Sequence, residues 1–138
     1  MVKQLWINLP VKDVNQSKTF FAQLGFRFNP HYPENNSSAS MLIGEKDVVV
    51  MLFEESLFKN FTGKDIAVTG SAAQVLLSID AQSKEEVDEM ARKVLEAGGQ
   101  TNHQPSEMQG GMYGCVFTDM DGHSWNVLYM DMSKMQKG

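Results

Sequence analysis

The order of apolar and polar segments along this chain occurs twice. Residues 2–11 carry Leu5, Trp6, Ile7, Asn8 and Leu9, a strand pattern with one inserted polar residue. Pro10 falls near the end, where a missing N–H is tolerated. Asp13 with Gln16 fits a capping box, Phe20, Phe21 and Leu24 recur at helical spacing, and Gly25 closes the helix. Strands follow from Phe26, over residues 39–43 and over 47–53, with residues 31–40 a polar loop. The second half then starts again. Residues 74–80 (QVLLSID) predict a strand, and Ser83 with Glu86 a second capping box. Val87, Met90, Ala91, Val94 and Leu95 form an apolar stripe that Gly98 and Gly99 end. Three apolar segments follow: a weak one near Thr101 in an otherwise polar stretch over 100–111, then 115–118, then 125–130. Each half reads strand, helix, three strands, with a period of roughly 65–70 residues.

This repeat limits the possible folds sharply. Neither half has enough apolar residues for a core of its own. Two βαβββ modules, about residues 2–54 and 73–131, joined by a linker over 55–72, predict one α+β domain. Its expected form is a curved mixed sheet with helices outside and a central cup lined by inward strand positions. Within the linker region, Leu57, Phe58 and Phe61 suggest a short amphipathic turn or helix. Three such side chains on a connector need cover from the core, a ligand or a partner chain. Residues 132–138 read as a polar, frayed tail.

Composition removes several function classes. The 138 residues carry 17 acidic and 12 basic side chains, a net charge of −5, and the basic ones are dispersed. Nucleic-acid binding needs a basic stripe, so it is not expected. No apolar run approaches the roughly 20 residues of a membrane span. The N-terminal stretch lacks a signal-peptide pattern. The single cysteine, Cys115, allows no intrachain disulfide and sits in an apolar strand context, which predicts an inert packing thiol in a reducing cytoplasm. Ten methionines read as core and interface filler. His31 and His103 fall in polar stretches and read as exposed, while His123 follows an Asp-Gly turn.

Residues 115–130, CVFTDMDGHSWNVLYM, read as strand, tight turn, strand, with Asn126 the polar residue inside the returning strand. Together with Val11, Lys12, Asp13, Ser17, Phe20, Phe21, Leu24, Gly25 and Phe26 in the first half, and Asp121, Gly122 and His123 in the second, this pattern resembles the vicinal oxygen chelate superfamily. That group includes glyoxalase I, extradiol dioxygenases, fosfomycin-resistance enzymes and bleomycin-resistance proteins. The resemblance spans about residues 3–131, and it implies the paired-module fold and a homodimer. Metal-using members hold one divalent ion at the centre of the cup with His, Gln or Glu, one pair from each module. The resemblance carries those ligand positions onto Trp6, Met51, Gln74 and Asn126, with Asn8, Glu54 and Glu55 the nearest polar alternatives.

Indole has no lone pair to offer, a thioether is soft, and two amides supply neutral oxygen at best. Divalent ions of this kind draw on imidazole and carboxylate. The expectation is therefore no metal and no cofactor. The cup would be lined by Trp6, Asn8, Met51, Phe53, Gln74, Leu76, Tyr113, Asn126 and Leu128, and would bind a small molecule or be filled by those side chains. Three alternatives stay open. One is a glyoxalase-type lyase, isomerase or dioxygenase that uses metal. A second is drug sequestration, with Glu34, Glu54 and Glu55 at the cup mouth facing a cationic ligand. A third is an interaction protein whose dimer is its function.

Overall fold

The structure, a computed structural model, describes residues 1–131 and residue 133; the tail expected over 132–138 otherwise lies outside the described residues. The order is β1 (Trp6–Val11), α1 (Val14–Gln23), β2 (Arg27–Phe28), β3 (Ser38–Ile43), β4 (Val48–Glu54), α2 (Glu55–Thr62), β5 (Leu76–Asp80), α3 (Lys84–Glu96), β6 (Gln100–Met108), β7 (Met112–Thr118) and β8 (Ser124–Met130). The strands form two four-stranded mixed sheets, ordered β1-β4-β3-β2 and β5-β8-β7-β6. The fold is α+β with two βαβββ modules, as the repeat predicts. The chain divides into two compact units that meet between Val68 and Thr69.

The two sheets are built alike. In each, the first strand runs parallel to the last, β1 with β4 and β5 with β8, and the other pairs are antiparallel. Both helices start on side-chain caps: Asp13 Oδ1 accepts from Gln16 N–H and Ser83 Oγ from Glu86 N–H, each at 3.1 Å. Such a bond satisfies one of the donors left open at a helix start. Both helices stop at a left-handed glycine, Gly25 at φ 95° and Gly98 at φ 97°.

In the first unit, α1 lays Val14, Phe20, Phe21 and Leu24 over Leu9, Val11, Ala39, Met41, Val50 and Leu52, all buried. The Phe20 and Phe21 rings meet edge to face at 5.1 Å. In the second, Val87, Ala91 and Val94 of α3 cover Cys115, Phe117, Trp125 and Val127. Leu95, expected in that stripe, is 55% exposed, because it falls at the margin of the helix face. Met90 is only partly buried.

Two segments extend the sequence reading. The weak segment near Thr101 is a long strand: residues 100–108 form β6, an edge strand with register shifts on either side of His103. Its sequence, QTNHQPSEM, is polar because an edge strand here buries little, and Pro105 is tolerated where no outer strand needs its N–H. The linker begins as a true helix, α2, which contributes no fully buried residue and ends at Gly63 with φ 69°. Phe61 is 66% exposed, with its ring 5.1 Å from that of Phe53. No helix among the described residues is long and apolar enough to cross a membrane.

Candidate functional site

Strand alternation decides which side chains share a surface, since neighbours along a strand point to opposite faces. In the first unit one face of the sheet lies under α1. The other carries Trp6, Asn8 and Pro10 of β1, Met51 and Phe53 of β4, and Ser38 and Ser40 of β3. The register pairs Asn8 with Met51 and Met51 with Ser40, so these three form one cross-strand row. Trp6, Asn8, Met51 and Phe53 therefore share a face. Trp6 is 61% exposed, Asn8 is exposed, and Met51 and Phe53 are partly buried.

In the second unit the face away from α3 carries Leu76 and Ser78 of β5, Asn126 and Leu128 of β8, Val116 of β7 and His103 of β6. Ser78 pairs with Asn126, Asn126 with Val116, and Val116 with His103. Asn126 Nδ2 donates to Ser78 Oγ at 3.3 Å. Its Oδ1 is shielded from solvent and has no hydrogen-bond partner among the described residues. Leu76, Asn126 and Leu128 thus share a face, as expected.

Two predicted residues do not belong to that face. Gln74 is exposed and precedes β5. The strand cannot start earlier, because its partner β8 begins at Ser124, opposite Leu76. The residue beside Asn126 is Ser78. The caps carry a signal for this register: Asp13 follows Asn8 by five residues, and Ser83 follows Ser78 by five. The repeat therefore equates Asn8 with Ser78 and Met51 with Asn126.

Tyr113 is the second correction. It lies in phase with Cys115 and Phe117, the residues packed under α3. Its hydroxyl donates to Asp88 of that helix at 2.6 Å, and Lys84 Nζ stands 5.4 Å from its ring centre. Lys84 also pairs with Glu107. The bond to Asp88, followed by burial, pushes the Tyr113 phenol up to about 12. A phenol raised in the folded chain stabilises it fully below the unfolded value, about 10, and that contribution is lost as pH rises through about 12. An alkaline titration followed by phenolate absorbance is expected to show a late phase that Tyr113→Phe removes.

At the paired positions Asn8–Met51 and Ser78–Asn126 the donors are an amide and a thioether in the first unit, and a hydroxyl and an amide in the second. Asp80 of β5 and His103 of β6 are ionisable groups on the same sheet. They stand on opposite edge strands of one sheet, three strand spacings or about 14 Å apart. Asp80 Oδ2 also accepts from Gln82 Nε2 at 3.1 Å. Among the described residues, no three His, Cys, Asp or Glu side chains gather as they do around a metal ion.

The family model of the Glyoxalase/Bleomycin resistance protein/Dioxygenase superfamily matches residues 3–127. No curated protein matches the chain. Among solved structures, the hypothetical protein SA1046 from S. aureus is 33% identical, with a TM-score of 0.83 over 94% of this chain and 95% of its own. A glyoxalase/bleomycin resistance protein/dioxygenase family enzyme from Burkholderia phytofirmans PsJN is 16% identical, with a TM-score of 0.75 over 91% and 97%. The fosfomycin resistance protein FosX from Listeria monocytogenes is 20% identical, with a TM-score of 0.70 over 98% and 99%. FosX is also described in complex with Mn(II) and sulfate. The last two share the fold alone. By the family match over nearly its whole length, this chain belongs to the Glyoxalase/Bleomycin resistance protein/Dioxygenase superfamily.

Proposed function

We propose that this chain binds a small organic molecule on the sheet faces turned away from its helices, and that it does so without a divalent metal. The observation that carries this reading is the donor set at the paired strand positions: Asn8 beside Met51, and Ser78 beside Asn126. None of the four carries charge. A dication surrenders tightly held water on binding, and carboxylate, thiolate or imidazole ligands are what offset that cost. The same faces suit an organic ligand, because they set aromatic and aliphatic area, from Trp6, Leu76 and Leu128, beside a few neutral hydrogen-bonding groups.

Two measurements test the reading. Elemental analysis of the gently purified protein is expected to find no stoichiometric Zn, Mn, Fe or Ni. Addition of Mn²⁺ or Zn²⁺ to the chelator-treated protein is expected to leave the thermal midpoint unchanged, since a ligand stabilises the native state only in proportion to its binding. Stoichiometric metal, or a midpoint that climbs with metal concentration, overturns the proposal.

A further inference from the structure

The first sheet has an unfinished edge. β2 pairs only with Leu42 and Met41 of β3, so Ser38, Ala39 and Ser40 have no strand outside them. Residues 29–37 fold along that edge instead, and Asn29 N–H donates to Ser40 O at 2.8 Å. The loop is held by its own side chains. Asn29 Oδ1 accepts from His31 N–H at 2.9 Å, and Asn35 Oδ1 accepts from Ser37 and Ser38 N–H, both at 2.8 Å. The Tyr32 hydroxyl and Ser38 Oγ lie 2.6 Å apart. Pro30 and Pro33 restrict the backbone further. Asx bonds and prolines of this kind fix a loop before any ligand arrives.

This loop, α1 and β3 border a half-open pocket of about 230 Å³, lined by Lys18, Phe28, Asn29, Tyr32, Glu34 and Ser40 among others. It lies wholly in the first unit. Its walls combine the Lys18 ammonium, the Glu34 carboxylate, the Phe28 and Tyr32 rings and the buried residues Ser38 and Ser40. Lys18 Nζ stands 6.0 Å from the Phe28 ring centre, and its side chain is only 28% exposed. Its carboxylate neighbour, Glu34, is 3.8 Å away with a side chain 91% exposed. An ion pair that long, with one partner free in water, is weak and easily exchanged. The ammonium is thus held in the wall by its stem while its counter-charge is loose.

We propose that this cavity binds a small organic monoanion, a carboxylate on a flat apolar body. The carboxylate takes the Lys18 ammonium in place of Glu34, and the body lies against Phe28 and Tyr32. The volume is below the roughly 300 Å³ at which pockets for drug-sized ligands begin, so the ligand is small. A chain with net charge −5 offers anions no general attraction, so binding depends on this one local cation.

Benzoate and its uncharged counterpart benzamide are the probes, titrated into the full chain and followed by backbone amide NMR. Benzoate is expected to shift the amides of residues 29–40 saturably, and benzamide to bind at least about tenfold more weakly, the effect of one lost charge contact. Lys18→Met, at a half-exposed helix position that a good helix former tolerates, is expected to weaken benzoate by about tenfold with the fold intact. Glu34→Gln is expected to tighten it, because the competing carboxylate is gone. Absence of saturable shifts, equal binding of benzamide, unchanged binding by the Lys18→Met chain, or weaker binding by the Glu34→Gln chain overturns the proposal.

Discussion

Replacing Gly122 with alanine is expected to cost about 3 kcal/mol of stability and to lower the thermal midpoint by on the order of 10 °C. Two effects add. Gly122 has φ 86°, a conformation that side chains with a Cβ adopt only at a cost of about 1–2 kcal/mol. A Cβ there would also lie 2.2 Å from Thr69 Oγ1, 2.8 Å from Thr69 Cβ and 3.2 Å from Thr69 O. The last of these is backbone, so rotating the threonine does not relieve the contact. Thr69 is held in place because its hydroxyl donates to Asp121 O at 2.7 Å. The chain leading into the second unit is thereby clasped on the turn between β7 and β8. Thermal melts of Gly122→Ala and of Thr69→Ala/Gly122→Ala isolate the contribution of the Thr69 hydroxyl contact. The double variant is expected to recover the part of the loss due to Oγ1, and the remainder combines the backbone strain with the contacts to Cβ and O that alanine at position 69 retains. A Gly122→Ala chain as stable as the parent would remove the clasp from this account.

Asp119→Ala is the second large loss, again about 3 kcal/mol at neutral pH. Asp119 is 7% exposed and gathers three donors. Oδ1 accepts from Asp121 N–H at 2.9 Å and His123 N–H at 3.0 Å, and Oδ2 accepts from Trp125 Nε1–H at 3.0 Å. Removing the carboxyl strands donors in a buried place, and each costs about 1–3 kcal/mol less whatever water can reach. Asn is expected to cost less than Ala, because its one carbonyl oxygen can keep both backbone donors while its NH₂ opposes the indole N–H. Burial pushes the Asp119 carboxyl above its usual range, against the pull of His123 and the indole bond. A group whose folded pKa lies above the unfolded one adds stability that is complete below the unfolded value, about 3.9, and fades as pH rises through the folded value. The penalty of Asp119→Ala, read from denaturant melts, is therefore expected to grow as pH is lowered toward about 4. A penalty that shrinks over that range contradicts the direction given.

The helices and the last hairpin were legible because their signals are local. Asp13 and Ser83 cap, Gly25 and Gly98 stop, and the turn through Gly122 needs a residue free to take positive φ. β6 was legible only as a weak segment near Thr101 and not in its full extent, because an exposed edge strand such as QTNHQPSEM needs no apolar alternation and its order comes from pairing with β7. The site was half legible for the same reason. Trp6, Asn8, Met51, Phe53, Leu76, Asn126 and Leu128 follow from strand alternation once the strands are placed. Gln74 failed because where a strand begins is set by its neighbour, here at Ser124. Tyr113 lies elsewhere because its phase with Cys115 and Phe117 turns it toward α3, where Asp88 holds its hydroxyl. The loop over 29–37 and its cavity depend on Asx bonds and on the shortness of β2, neither of which leaves a periodic trace in the sequence.

Cys115 has a practical consequence. It is the sole cysteine and is fully buried, and that burial pushes its thiol up to about 11. At neutral pH it is neither ionised nor within reach of a reagent. A cysteine introduced at any exposed position is then the only thiol that maleimide chemistry modifies, and no cysteine-free background has to be built first. A pair of spin labels or fluorophores, one at the outer surface of α1 at Gln23 and one at Gln82 ahead of α3, becomes a ruler laid across the two halves of the duplicated fold, and its reading can be followed with and without added small molecules in the unaltered core.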